Sequence, residues 1–289
     1  MPELPEVETM RRIVEAELVG RTLAGFDLTL PKLTRESPIQ DFGLLLGRTV
    51  LASRRRAKIL VIDWSDGVST LSHFMLAGQI MVERADGSRR FAGHPVPNPN
   101  GPYPHRATHL TMRFDDGTVL WHSDIRQFGW IRLMPSDEVA AAIEAFGLGP
   151  EAVGPDRITS SQLADRLQRR RVPVKQVLLD QAVVAGLGNI YVDEALHGSG
   201  IHPSLPASAL DPSQVKHLHR TIAWSLEKGI AQGGATIVHQ KAYPKDGFPT
   251  VHGREGEPCV SCKETIVKTR VGGRGTYFCP RCQRLPDEK

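Results

Sequence analysis

All four cysteines of this 289-residue chain fall in its last 31 residues, as Cys259-x-x-Cys262 and Cys279-x-x-Cys282 with 16 residues between the pairs. A disulfide framework is normally spread over a secreted domain, whereas two close pairs at this spacing suit two knuckles clamping one tetrahedral zinc ion. Four thiolates leave no position open for water, so the ion is expected to be structural rather than catalytic. Free thiols or two disulfides are the competing reading, and a reducing compartment opposes the disulfides. A segment of about thirty residues cannot bury much core, so metal binding is expected to supply most of its folding free energy. Between the knuckles a hairpin is expected, carrying Lys268, Arg270 and Arg274 with Gly272-Gly273 at its tip. Such a basic loop suits a phosphate backbone or a DNA groove, and standing alone it would equally suit a solvated face.

The rest of the chain divides by pattern. With 40% hydrophobic and 24% charged residues it is not disordered throughout, and 36 Lys+Arg against 32 Asp+Glu permit a polyanionic partner without demanding one. It has no apolar run of about eighteen residues, so no membrane span is expected. Its start, MPELPEVETM, is acidic where a secretory signal is basic and then apolar, which points to the cytoplasm. From Pro5 to Leu18 the apolar residues Val7, Met10, Ile13, Val14 and Leu18 share one helical face, with Glu6 and Glu8 in the first turn. From Thr22 to about Met134 short β-rich runs follow: 49–53, 59–64, 69–73, 79–83, 109–114 and 118–122, with a hairpin signal at Asp115-Asp116-Gly117. An antiparallel sandwich or barrel is expected there. The prolines of 94–106 cannot sit in a central strand and mark a surface loop. A helix opening at Pro135-Ser136 and a Gly/Pro cluster up to Pro155 read as a linker.

The second half reads as helical. Thr159 and Gln162 form a capping box signal, and Asp211-Pro212 is an N-cap followed by proline at the first helical position of a helix ending at Gly233-Gly234. Between them, 175–182 and 190–197 are helical patterns flanking a glycine-bearing turn. The expected divisions are 1–135, a linker over 136–155, a helical domain over 156–240 and a zinc finger over 241–289, an α+β chain overall.

The N-terminus carries a second chemical signal. Proline at position 2 is small enough for removal of Met1, which would expose a secondary amine. An α-amino group with a pKa of roughly 7.7 to 8.0 is partly unprotonated at neutral pH, unlike a lysine near 10.4. Its attack on an aldehyde carbon gives a charged iminium, an electron sink for covalent catalysis, and Glu3 beside it can exchange protons. Many chains begin Met-Pro, so Pro2 alone proves nothing.

Pro2–Glu8 (PELPEVE), Lys58 after Arg54-Arg55-Arg56, Ala185–Leu196 (AGLGNIYVDEAL) and Gly253–Cys259 (GREGEPC) running into the four-cysteine motif occur together, in order, along nearly the whole chain. In this combination the sequence resembles the formamidopyrimidine-DNA glycosylase branch of the Fpg/Nei family of base-excision repair enzymes. The resemblance implies an N-terminal β-sandwich, a helix-two-turn-helix domain and a zinc finger, acting as a monomer on double-stranded DNA that contains damaged bases or abasic sites. It implies that Pro2 attacks C1′ of the damaged nucleotide, expels the base, and cleaves the strand by β- and δ-elimination with Glu3, Lys58 and Arg274 as proton donors. The target must leave the stack for this chemistry. His73, Lys175, Asn189, His252 and Arg274 fall where the family contacts DNA; Arg126 and Phe128 match the pair inserted into the duplex, and Leu76 the position that fills the void.

The chain departs from the family pattern in three places. His73-Phe74-Met75-Leu76-Ala77-Gly78 stands for the usual His-Leu-Gly-Met-Ser-Gly, His252 stands for a tyrosine, and the stretch after Gly233-Gly234 is shorter than usual. Oxidised purines are the expected substrates, formamidopyrimidines first and 8-oxoguanine with them. The alternatives are oxidised pyrimidines or mainly abasic sites, and a non-catalytic damaged-DNA-binding protein. A zinc-ribbon transcription or translation factor would explain the cysteines but leave PELPEVE and AGLGN unexplained.

Overall fold

The computed structural model describes residues 2–285; Met1, whose removal the sequence leads one to expect, lies outside them. The chain forms two compact units, one up to Phe146 and one from Gly147 onward, so the division falls inside the segment expected to be a linker.

The first unit begins with α1 (Leu4–Leu18), in which Leu4, Val7, Met10, Val14 and Leu18 recur every three or four residues and are buried to 1% exposure or less. The strands are β1 (Leu23–Leu28), β2 (Val50–Arg56), β3 (Ile59–Trp64), β4 (Val68–His73), β5 (Gly78–Glu83), β6 (Arg89–Gly93), β7 (Thr108–Phe114), β8 (Val119–Asp124) and β9 (Trp130–Pro135). They form two antiparallel sheets, ordered β1-β7-β8-β5-β6 and β2-β3-β4-β9. One core joins both sheets to α1: Leu60, Ile62 and Trp64 from one, Ile80, Leu110, Met112 and Phe114 from the other, and Val7, Met10 and Val14 from the helix. Trp64 stacks on Phe114 across the layer with ring centroids 6.5 Å apart. A short helix, α2 (Val139–Glu144), closes this unit.

The expected runs are strands, with ends moved by a residue except at β2, which runs three residues further to Arg56, and β8, which runs two further to Asp124. Strands β1, β6 and β9 were not singled out by pattern. The first carries a register shift between Leu23 and Gly25, the second opens on two exposed arginines, and the third ends in proline. Each therefore breaks the alternation that marks a strand. The turn from β4 into β5 needs glycine at 78, because a Cβ there would lie 2.7 Å from the Phe74 Cβ and carbonyl oxygen.

Two histidines in this unit are held neutral. Burial pushes His122 from the ordinary 6.5 down to about 4; the Asp124 charge opposes that shift and His109 adds to it. Its ring packs against Phe74 and lines a cavity of about 30 Å³ with Thr70 and Ser72. Burial, and then the positive Lys58, likewise lowers His73 to about 4. Because the folded values are depressed, the unfolded chain binds these protons first as the pH drops. The stabilisation is complete above about 6.5 and is lost as the pH falls toward 4, by roughly 3 kcal/mol for each ring. Urea midpoints should therefore decline through that window, and His122→Phe should flatten the decline; an acid limb of equal slope in both proteins would contradict this.

The second unit contains α3 (Ser160–Leu167), α4 (Val174–Leu179), α5 (Asn189–Ser199) and α6 (Pro212–Gln232). The Thr159–Gln162 and Asp211–Gln214 capping boxes both form, and α6 stops at Gly233 in the left-handed conformation. The glycine-bearing turn between α4 and α5 is present, although α4 ends at Leu179 rather than reaching 182. Two small hairpins follow, β10 (Ile237–Val238) with β11 (Lys241–Ala242), and β12 (Val267–Val271) with β13 (Arg274–Phe278). Among the described residues no helix is long and apolar enough to cross a membrane.

Candidate functional site

In the first unit the candidate residues gather where α1 begins and where strands turn. Glu3 is the N-cap of α1, 1% exposed, and shares a reciprocal capping box with Glu6, whose Oε2 accepts the Glu3 backbone N–H at 2.8 Å. The helix start is thereby fixed beside Pro2, which is also buried. One turn further, Glu8 accepts from Arg11, Arg12 and Arg55. Burial alone would raise its pKa, and these guanidinium groups, Arg11 foremost, hold it below the usual carboxylate range. Arg55 also donates to the Ala57 carbonyl at 3.0 Å, so one side chain joins α1 to the two-residue turn Ala57-Lys58 between β2 and β3. Lys58 is 9% exposed in that turn.

His73, at the end of β4, pairs in register with Ile59 next to Lys58 and stacks on Trp130 at 5.8 Å. Its Nδ1 accepts the Met75 backbone N–H at 3.1 Å, so the neutral ring carries its hydrogen on Nε2, a donor suited to a phosphate oxygen. In the following turn Met75 has a φ of 46° and is exposed, while Leu76 is half-buried. Arg126 and Phe128 sit on the β8–β9 turn, with the guanidinium 5.7 Å from the phenyl centroid and Phe128 52% exposed.

That turn is organised by Asp124, a residue the sequence reading did not single out. Its carboxylate is 1% exposed and accepts the backbone N–H groups of Arg126 (2.9 Å), Phe128 (3.0 Å) and Gly129 (2.8 Å). Asp124→Ala leaves these donors without a partner, at roughly 1–3 kcal/mol for each that finds no water. The Phe128 and Gly129 amides should then exchange with solvent at least about tenfold faster, while those of β3 stay protected. Unchanged exchange at 128 and 129 would mean that the carboxylate does not hold the turn.

In the second unit α5 anchors the finger. Lys175 requires a correction: expected to touch DNA, it is 0% exposed and its ammonium donates to Asp193 (2.6 Å), Thr276 (2.8 Å) and the Gly275 carbonyl (3.0 Å). All three of its hydrogens are occupied, so it holds the hairpin rather than presenting charge to a ligand. Asn189, the first residue of α5, donates its Nδ2 to the same Gly275 carbonyl at 2.8 Å. His252 is also nearly enclosed, its Nδ1 2.7 Å from Asp193 and its ring against Tyr277. Only its Nε2 remains to face a ligand. Two side chains thus converge on the carbonyl that follows Arg274, which is exposed at the start of β13 and pairs with no carboxylate among the described residues. Gly272 at the tip has a φ of 57°, and a Cβ there would meet the Gln176 side chain at 2.1 Å. The network of Lys175, Asp193 and Thr276 spans a hundred residues of chain, and no local pattern signals it.

The four cysteine sulfurs lie within 4.8 Å of one another, with 3.9 Å between Cys259 and Cys282 and 3.4 Å between Cys262 and Cys279. Zn–S bonds of about 2.3 Å in a tetrahedron require sulfurs roughly 3.8 Å apart, so the set fits one structural zinc ion. None is in a disulfide. Backbone N–H groups of the knuckles favour thiolate, as at Cys262, which the Glu264 N–H first of all draws down to about 7.

Residues 1–131 match the formamidopyrimidine-DNA glycosylase N-terminal domain, 148–241 the formamidopyrimidine-DNA glycosylase H2TH domain, and 256–285 the zinc finger found in FPG and IleRS. This order of parts is that of the helix-two-turn-helix DNA glycosylases. The chain is 36% identical to the formamidopyrimidine-DNA glycosylase of Pelotomaculum thermopropionicum over 99% of its own length and 100% of the relative, and 38% identical to that of Chloroflexus aurantiacus over 98% of each. It is similar to the solved structure of Lactococcus lactis Fpg in complex with abasic-site DNA, with a TM-score of 0.85 and 33% identity over 98% of this chain and 100% of that one. The same organism's protein has been solved with N7-benzyl-Fapy-dG DNA, at the same TM-score, identity and coverage. The chain belongs to the formamidopyrimidine-DNA glycosylase family.

Proposed function

We propose that this protein is a bifunctional DNA glycosylase and abasic-site lyase that removes oxidised purines, formamidopyrimidines and 8-oxoguanine among them, from double-stranded DNA. The observation that carries the reading is the buried start of α1, where Pro2 and Glu3 stand together on a capped helix tied through Glu8 and Arg55 to the turn that bears Lys58. The Pro2 nitrogen forms a bond to C1′ of the everted nucleotide as the glycosidic bond breaks, and the base departs with the electron pair and takes up a proton. The amine then loses its proton and the C1′–O4′ bond opens with a proton delivered to O4′, leaving an iminium that acidifies C2′; loss of a C2′ proton expels the 3′ phosphate as β-elimination, and loss of a C4′ proton expels the 5′ phosphate as δ-elimination. Glu3, Lys58 and Arg274 move the protons. The neutral His73 ring and Asn189 contact backbone phosphates, Arg126 and Phe128 enter the duplex, and Leu76 with its exposed neighbour Met75 fills the void. Binding of this kind weakens steeply with salt. The enzyme acts as a monomer in the cytoplasm, where the finger's thiols stay reduced.

The experiment is to mix the protein with duplexes carrying one formamidopyrimidine, 8-oxoguanine, oxidised pyrimidine or abasic site, with borohydride present to reduce any iminium. A covalent adduct on the abasic duplex, and faster excision of the two purine lesions than of the pyrimidine, are expected. Absence of an adduct removes the lyase, and equal rates on all lesions or a pyrimidine preference removes the purine assignment.

A further inference from the structure

The zinc site has a neighbour that none of the catalytic roles uses. His197, in the last turn of α5, is 8% exposed, with Nε2 3.3 Å from the Cys259 sulfur and Nδ1 3.1 Å from the Thr250 hydroxyl. Cys259 is itself 0% exposed. The direction of each hydrogen bond follows from the partners. Glu194, also 0% exposed, accepts the backbone N–H groups of Thr250 (2.7 Å), Val251 (2.9 Å) and His252 (2.8 Å), and its Oε2 lies 2.5 Å from the Thr250 hydroxyl. A carboxylate can only accept, so the Thr250 hydrogen points at Glu194 and its oxygen offers His197 a lone pair. Nδ1 thus lies against that oxygen, which leaves Nε2 to the sulfur; a sulfur that ligates zinc has no proton and can only accept, so the 3.3 Å contact is a hydrogen bond with Nε2 as the donor.

We propose that His197 is a positioning residue of the zinc site, donating Nε2–H to the Cys259 sulfur and thereby slowing the loss of that thiolate from the metal. Four thiolates around one divalent ion leave an excess of negative charge, and at a sulfur sealed from water only a protein donor can offset it. The bond withdraws electron density from the sulfur lone pairs, which makes them poorer targets for peroxide and for protons. Because His197 belongs to α5 and Thr250 lies on the approach to the first knuckle, the same ring fixes the finger to the helix that holds the Arg274 hairpin. Donors outside the ligand shell orient and tune metal ligands in this way. The inference rests on the metal site and not on the glycosylase chemistry.

The test uses the zinc-loaded full chain, with His197→Phe, which keeps a ring and loses the donor, and His197→Gln, whose amide N–H comes near the place of Nε2. Zinc release to a chromophoric chelator is followed at neutral pH with and without dilute peroxide. Release should be roughly tenfold faster for His197→Phe, with wild-type protection largely restored in His197→Gln. Equal release from all three proteins overturns the proposal. Should His197→Phe fail to fold, the wild type decides: a long-range nitrogen–proton spectrum of histidine-labelled, cadmium-substituted protein should show a hydrogen on Nε2 and coupling of that nitrogen to the metal. An Nε2 without a hydrogen overturns the proposal equally.

Discussion

Pro2→Gly should lose the borohydride-trapped adduct with abasic DNA, and Glu3→Gln should form it but excise base about 10²–10⁴-fold more slowly. The two outcomes differ because the two residues do different work. Proline supplies a secondary amine, whose iminium with the sugar has no N–H to lose and so stays charged; glycine supplies a primary amine, whose iminium can lose its proton to a neutral imine, on a more mobile backbone that also loosens the entry into α1. Glutamine at position 3 keeps the shape and still accepts the cap hydrogen bond, so the helix should weaken by at most about 1 kcal/mol. It cannot give or take a proton at neutral pH, and that is the loss single-turnover excision would register. Thermal melting of the first unit and binding to undamaged duplex serve as controls, and both should stay close to wild type. Trapping by Pro2→Gly at the wild-type level, or fully active enzyme whose intact mass retains Met1, would assign the nucleophile elsewhere.

What the amino-acid sequence discloses about this fold depends on how local the cause is. Strand β3 reads directly from Ile59 to Trp64 because a buried strand is a short apolar run, and α6 reads from Asp211-Pro212 to Gly233 because caps and stops are written in adjacent residues. Strand β6 does not, since Arg89 and Arg90 look outward and its strand character comes from pairing with β5. The same division runs through the site. Cys259, Cys262, Cys279 and Cys282 announce their metal by spacing alone, while Pro2 and Glu3 need the motif around them. Lys175 shows the limit. A lysine at a family DNA-contact position reads as a phosphate ligand until Asp193, Gly275 and Thr276, brought in from distant parts of the chain, enclose its ammonium. Asp124, Glu194 and His197 were silent for the same reason. Each acts by accepting from or donating to backbone and sulfur atoms that only the folded chain brings near.

Removing the metal should separate the finger from the rest. The cluster around it is small, built on Val251, Ile266, Tyr277 and the cysteines themselves, and the free energy of zinc binding to such sites, about 10–16 kcal/mol, exceeds anything that so few apolar side chains supply. Cys262→Ser, or a strong chelator, should therefore unfold residues of the β12–β13 hairpin while the first unit, with its own core, melts unchanged. Arg274 would no longer be held against α4 and α5, since Lys175 and Asn189 reach its hairpin through the Gly275 carbonyl and the Thr276 hydroxyl. DNA binding should fall with it, and the slope of affinity against salt should become shallower as finger contacts to phosphate disappear. Loss of protection confined to residues 253–285 in hydrogen exchange, together with weaker binding, is the expected result. Full DNA affinity in a protein shown to be free of zinc would mean that the finger does not contribute to the interface.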